Sequence, residues 1–551
     1  MFSAQELRAI PFLSTLADRE LEYLSGVVAD IHVLANEYVM HEGDSPALFV
    51  VMEGRLDVTK IIDGAERVLG VRTRGDLFGQ VSVVLNTPTP ASLRASEPSR
   101  VIRIEVRDYH SVAAAAPDFA AELAKSAIDR IEGLQEIAAE PPRPELVVIG
   151  SQWDLACHDL RNFLQRNHIE FDWLTPEDLR AVEMLERAGA DSQLPLVRLR
   201  DGKLLACPTH AQIAKALGLS VTPAQTEYDV VIFGAGPAGL AAAVYGASEG
   251  LSTVLIEREA PGGQAGTSSR IENYLGFPFG LSGDELASRA FAQAKRLGAE
   301  IVVTRVVEGI DAASHMVRLD GGDTLHGRTI ILAMGVAWRR LALDSATPLI
   351  GRGVYYGAAR SEARTIQGKD VHVIGGGNSA GQAALSFSEH ARSVTLLVRG
   401  DSLEKSMSYY LIEQLKNKKN VQVRLHSEVA RVYGELHIEA IDVLDRDTGK
   451  TSRCETAALF VMIGADAETA WLPEEIARDE NGYVLTGADV LRTGLWHEER
   501  DPHLLETTMP GIYAVGDVRA GSVKRVAASV GEGSMAIALV HQYLQREAVA
   551  K

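Results

Sequence analysis

The residues with the plainest chemical potential in this chain are glycines. Gly234, Gly236 and Gly239 stand at G-x-G-x-x-G spacing directly behind the apolar run VVIF. At that spacing the first glycine permits a tight turn, the second lets backbone approach a pyrophosphate, and the third lets a helix pack closely on a strand. Pro237 and Ala238 fall in what would be the first helical turn, where unpaired N–H groups and the helix dipole attract phosphate. The next apolar run, TVLI, leads into Glu257, placed to accept ribose hydroxyls. This pattern predicts dinucleotide binding. A second turn carries Gly375, Gly377 and Ala380, with Asn378 and Ser379 inside it. The strand SVTLLV that follows is expected to end at Arg399. A cation there suits a ribose 2′-phosphate, so this turn favours NADPH over NADH, with Lys405 as a further candidate.

Sulfur and metal chemistry have much less to work with. The three cysteines, Cys157, Cys207 and Cys454, have the spacing of neither a disulfide framework nor a zinc cluster. No H-E-x-x-H is present and no serine reads as a nucleophile elbow, since the G-x-S-x-G matches GASEG and GNSAG fall in the helix and the turn of the two glycine-rich units; no metal site is predicted.

A chain of 551 residues must divide these sites among roughly three or four domains. Its 46% apolar and 23% charged residues are ordinary for a globular protein. A net charge of -19 argues against nucleic acid or an anionic membrane as partner. The start, MFSAQELRAI, lacks a signal peptide's pattern, and no run of 18 apolar residues is present, so no membrane span and a cytoplasmic setting are expected.

Three blocks follow from the periodicities. Residues 1–139 read as a β-roll bracketed by helices, ending before the breaker EPPRP. Residues 145–219 alternate strand and helix as a small α/β unit. From residue 227 onward, two strand–turn–helix units imply two Rossmann-like domains.

The third block resembles the low-molecular-weight thioredoxin reductases in the order of its motifs: GAGPAG, GGQ, IENYLGFP, the Ala333–Gly335 strand end, GRGV, GGGNSAGQAA and IYAVGDVRAGSVKRVAASVGEG. The resemblance implies a discontinuous FAD domain, 227–343 and 463–551, around an inserted NAD(P)H domain, 344–462. It implies FAD on the Gly234–Gly239 turn, Glu257, Gly263, Gln264, Asn273, Gly335, Gly516, Asp517, Arg525, Val526 and Ala527. It also implies a homodimer whose two domains rotate against each other. The family's Cys-x-x-Cys, however, aligns on Gly357, Ala358, Ala359 and Arg360, and its following acid on Ser361.

Without a thiolate there, the expected activity is hydride transfer from NAD(P)H to FAD, then electron transfer to a non-disulfide acceptor: a quinone, oxygen, a small molecule or a ferredoxin-like carrier. Tyr355, Tyr356 and Ser361 are the candidates to line the acceptor pocket. One alternative is a non-catalytic flavin-based sensor or interaction protein. Another is a thioredoxin-disulfide reductase that uses Cys157 as relay.

The first block is similar to cyclic nucleotide-binding domains over roughly residues 11–132, in Gly43, Gly54 and the cassette FGQVSVVLNTPTPASLRA. The cassette's usual Glu and phosphate-binding Arg are Gln80 and Thr89 here, which argues against ordinary cyclic AMP binding. Arg94 is the candidate substitute. The second block resembles the thioredoxin and glutaredoxin fold, with Asp154 at the attacking-cysteine position, Cys157 at the second, and Pro195 at the cis-proline.

Overall fold

The computed structural model describes residues 3–62, 65–139, 145–151, 153–167, 169–189, 193–268, 270–278, 280–357 and 366–550. Chain contacts divide it into two compact units, residues 1–143 and 144–551.

The first unit is a roll of two antiparallel four-stranded sheets. The strand Ala47–Glu53 is buried along ALFVV because its two faces feed two apolar clusters: Leu48 and Val50 in one, Phe49 and Val51 in the other. Gly54 ends it at φ +89°, where an added Cβ would lie 2.2 Å from Ser99 Oγ, so the turn requires glycine. The helix Pro117–Ala139 closes the unit.

The second unit opens with a four-stranded sheet in the order Phe171–Leu174, Leu146–Ile149, Leu196–Leu199, Leu204–Ala206. The first pair is parallel and the other two are antiparallel. The short strand Leu204–Ala206 was not expected from the sequence pattern. The Leu194–Pro195 peptide is cis. Next comes a seven-stranded sheet whose parallel core is Glu300–Val302, Thr253–Ile256, Glu227–Phe233, Thr324–Leu332 and Ile512–Ala514. A third sheet, five parallel strands from Val354–Tyr356 to Val421–Arg424, carries the second glycine turn, with an antiparallel three-stranded sheet beside it. Parallel strands are covered on both faces, so they read as unbroken apolar runs such as VVIF and ALFV.

A two-stranded ribbon, Ala337–Trp338 against Ala465–Asp466, joins the second and third sheets' domains. Arg339 and Asp466 reinforce it with an ion pair at 2.5 Å.

One buried group gives the third sheet a pH dependence. His372 is 5% exposed, and its Nδ1 lies 2.9 Å from the Thr456 hydroxyl, which itself donates to Ala458 O. Burial pushes the His372 imidazole down to about 4. The unfolded chain therefore binds the proton first, so His372 adds stability above pH 6.5 that is lost as the pH falls through 4. The loss should approach ~3 kcal/mol. Denaturant unfolding between pH 7 and 4 should show this slope in the parent and a flatter one in His372→Gln.

Candidate functional site

The first glycine turn is built by steric demands that the structure makes explicit. Gly234 has φ +98°, and a Cβ there would lie 2.7 Å from Ala333 O; at Gly239 it would lie 1.9 Å from Gly234 O. Both positions are closed by the protein itself. Gly236, by contrast, has no heavy atom within 4 Å of a built Cβ, which leaves its face open at the start of the helix Pro237–Ser248. Pro237 at the first helical position removes a donor that would lack a partner anyway. Closed first and third glycines with an open second are what a pyrophosphate needs.

The predicted partners converge on this turn. Glu257 follows the strand Thr253–Ile256 and is 7% exposed; its carboxylate accepts the Ala235 N–H at 2.7 Å and the Glu259 N–H at 2.9 Å. Burial holds this carboxyl above its ordinary range, and the two N–H bonds pull it back. Gly263 passes so near that its Cβ would be 3.1 Å from Gly236 Cα. Gln264 donates to Val336 O at 2.6 Å, beside Gly335, whose Cβ position is open. Asn273 is exposed on its loop. Gly516 packs on Ala238, its Cβ position 3.0 Å from the alanine methyl, and leads into Asp517, whose carboxyl is raised by burial. Lys524 Nζ donates to Asp517 O at 2.5 Å, with Arg525 just before the C-terminal helix that Val526 and Ala527 start.

Two residues here escaped the sequence reading. Glu532 accepts the Gly516 N–H at 2.7 Å and the Arg519 guanidinium at 2.5 Å, fixing the loop that presents Asp517. Both lie inside the segment IYAVGDVRAGSVKRVAASVGEG, but their side chains meet across 13 residues of loop and helix, a pairing that the motif does not mark.

The second turn repeats the design with differences. A Cβ at Gly375, φ +144°, would meet Met462 O at 2.4 Å and Ala380 at 3.1 Å, whereas Gly377 is open to 3.9 Å. Ser379 is exposed in the first turn of the helix Asn378–Phe387. Asn378 opens the helix at this turn, and its side-chain oxygen also accepts the Ser408 N–H at 2.7 Å, which anchors the neighbouring loop. The strand ends at Leu397, so Arg399 stands exposed two residues beyond it rather than at its end. Lys405 is held by Asp401 at 2.8 Å. The sequence reading missed Arg446, whose Nη1 lies 3.5 Å from Arg399 O and adds a second guanidinium to that corner.

In the first unit several cassette side chains are engaged by the protein itself, although the buried Ser82 hydroxyl is left without a partner among the described residues. Thr89 is 2% exposed and donates to His41 O at 2.7 Å. Gln80 is 3% exposed, its amide 3.5 Å from Ser126 Oγ. Arg94 pairs with Glu66 at 2.8 Å, which also takes the Tyr38 hydroxyl at 2.6 Å. Lys60, not singled out from sequence, bonds Glu42 at 2.5 Å and Pro90 O at 2.6 Å. Lys60 and Arg94 are thus each already paired with a carboxylate.

Comparison with known proteins now decides the family. The model described as pyridine nucleotide-disulphide oxidoreductase matches residues 228–533, more than half of the chain. The chain belongs to that family. The cyclic nucleotide-binding domain model matches residues 30–115. Thioredoxin reductase of Bacillus subtilis (strain 168) is 32% identical over 319 residues, 58% of this chain and 95% of the relative. Thioredoxin reductase of Treponema pallidum (strain Nichols) is 31% identical over 322 residues, 58% of this chain and 98% of the relative. The crystal structure of T. acidophilum thioredoxin reductase matches at TM-score 0.52 and 28% identity, over 58% of this chain and 100% of that one. The oxidoreductase portion is therefore thioredoxin reductase-like and of flavoprotein type, fused behind a cyclic nucleotide-binding domain.

The three cysteines are free thiols, and two of them, Cys157 and Cys207, precede the matched segment 228–533. Cys157 is buried, and burial with the Asp154 carboxylate beside it pushes its thiol up to about 12. Asp154 accepts the Cys157 N–H at 2.9 Å as a helix N-cap. Cys207 is exposed with Sγ on Leu194 O, and Cys454 lies on an edge strand far along the chain. Tyr355 is 7% exposed, packed between His158 and Phe460 at 5.4 Å each, and the Tyr356 hydroxyl accepts the Leu341 N–H at 3.0 Å. Both line a cavity of about 160 Å³, yet they are first of all strand residues with engaged side chains. Ala358, Ala359, Arg360 and Ser361 lie outside the described residues.

The contrast between open and closed glycines is testable. Gly236→Ala, at φ −71°, should leave the apoprotein's unfolding free energy within about 0.5 kcal/mol and weaken FAD binding tenfold or more. Gly239→Ala should destabilise the fold by about 1–3 kcal/mol. Flavin fluorescence titration and urea unfolding measure the two.

Proposed function

We propose that this protein is an FAD-dependent NAD(P)H oxidoreductase whose electrons leave for an acceptor other than a protein disulfide. The observation that carries the reading is the pairing of two open nucleotide turns, at Gly236 and Gly377, with cysteines that sit only at 157, 207 and 454. FAD, when bound, supplies hydride acceptance and its release as two electrons and a proton. The chain's own residues hold and orient: Glu257 takes the ribose, the helix at Pro237 faces the pyrophosphate, and Asp517 with the start of the C-terminal helix faces the far end. Arg399 and Arg446 supply charge for a 2′-phosphate, which favours NADPH.

Residues 145–219 fit a thioredoxin-like fold in strand order, N-capped first helix and Pro195. Disulfide turnover through Cys157 would need a thiolate, which burial beside Asp154 opposes. The cyclic nucleotide-binding domain is proposed as an interaction module, because Thr89 offers no charge to a phosphate.

Anaerobic titration with NADPH tests the whole reading. The flavin band should bleach within seconds in the parent and equally in Cys157→Ser; an unchanged spectrum would instead favour the non-catalytic sensor. Arg399→Ala and Arg446→Ala should each reduce the preference for NADPH over NADH about tenfold, read from reduction rates with both donors.

A further inference from the structure

The module of residues 145–219 is attached to its two neighbours in unequal ways. Toward the domain of Glu257 it shares one apolar core, in which Leu160, Phe163 and Leu164 cluster with Val230, Ile232 and Ala242. Polar bonds close the same seam: Arg166 donates to Glu259 Oε2 at 2.7 Å and to Gly263 O at 3.3 Å, and Asn167 donates to Glu259 O at 3.3 Å. Toward the domain of the second glycine turn the contact is narrower. Leu155 and His158 cover Gly351, whose Cβ position is 3.0 Å from Leu155 Cδ1 and 3.3 Å from His158 Cδ2. The His158 ring tilts on Tyr355 at 5.4 Å, and the Trp153 ring on His437 at 4.7 Å. Cavities of about 160 and 320 Å³ lie in this second seam. A shared close-packed core resists separation, whereas a seam interrupted by voids forfeits much of its dispersion energy.

The face in this second seam bears Trp153, Asp154, Leu155 and Leu194, and it opposes Gly351, Arg352, Leu436 and His437 of the same chain. We infer that the module is an intramolecular brace: fixed to the Glu257 domain, it sets the angle at which the second nucleotide domain sits. The ribbon of two residues per strand between those domains cannot set the angle itself. Two reacting groups must approach to ~3–3.5 Å for transfer, so the angle governs whether donor and acceptor meet. Release of the Trp153–Leu155 seam lets the second domain swing, while Arg166 and the shared core keep the module in place.

The test is a distance distribution in the full chain and needs no turnover, so it stands or falls apart from the proposed activity. Spin labels at Arg296→Cys and Lys419→Cys, both exposed, in a Cys207→Ser/Cys454→Ser background report the inter-domain distance by double electron–electron resonance. The parent should give one narrow peak. The Trp153→Ala/Leu155→Ala double variant and, from the opposite side, His437→Ala should each at least double its width with the melting temperature unchanged. Should the double variant melt early, His437→Ala decides alone. Parent-like widths in the folded variants would overturn the brace.

Discussion

What the second unit can do depends on its two chain crossings, Ala337–Trp338 and Ala465–Asp466. Each glycine turn belongs to its own parallel sheet, and a parallel sheet buries both faces under helices and loops. The two sheets keep separate cores, and the chain leaves the first domain and returns to it. That path makes the Glu257 domain discontinuous and leaves the relative orientation of the two sites to whatever bridges them. The Arg339–Asp466 ion pair stiffens the ribbon locally, but it is exposed and weak against a domain-sized lever.

Inside the first nucleotide site the governing constraint is preorganisation. Glu257 and Glu532 are carboxylates taken out of water, and each is stabilised by backbone N–H groups of the loop it holds: Ala235 and Glu259 in one case, Gly516 in the other. A buried acid without such donors would be costly. With them it locks the loop before a ligand arrives, so binding need not order the backbone.

Legibility in the sequence followed the range of the interaction. The glycine turns were readable because their demand is local: a positive φ or a missing Cβ admits one residue type whatever lies elsewhere. The parallel strands were readable as apolar runs for a similar reason. Arg446 was not, because it reaches Arg399 from a hairpin 47 residues away, and neither was Lys60, placed under Pro90 by strand pairing. Asn378 sits inside a motif, but the bond of its side chain to Ser408, 30 residues on, was not readable there. The strand Leu204–Ala206 is three residues long, too short for an alternation to show.

Asp154 and Thr89 share a logic that bears on what these scaffolds are for. A helix N-terminus needs an acceptor for its free N–H groups, and Asp at that place is a far better cap than a thiol would be. Asp154 therefore strengthens the helix Leu155–Arg166. Thr89, 2% exposed, finds its partner in His41 O; an arginine buried there with no phosphate to meet would leave an unpaired charge. In both places the residue present satisfies a hydrogen-bonding need of the fold itself. Shape is what such a substitution preserves, and for residues 145–219 shape is what a brace between two nucleotide domains requires.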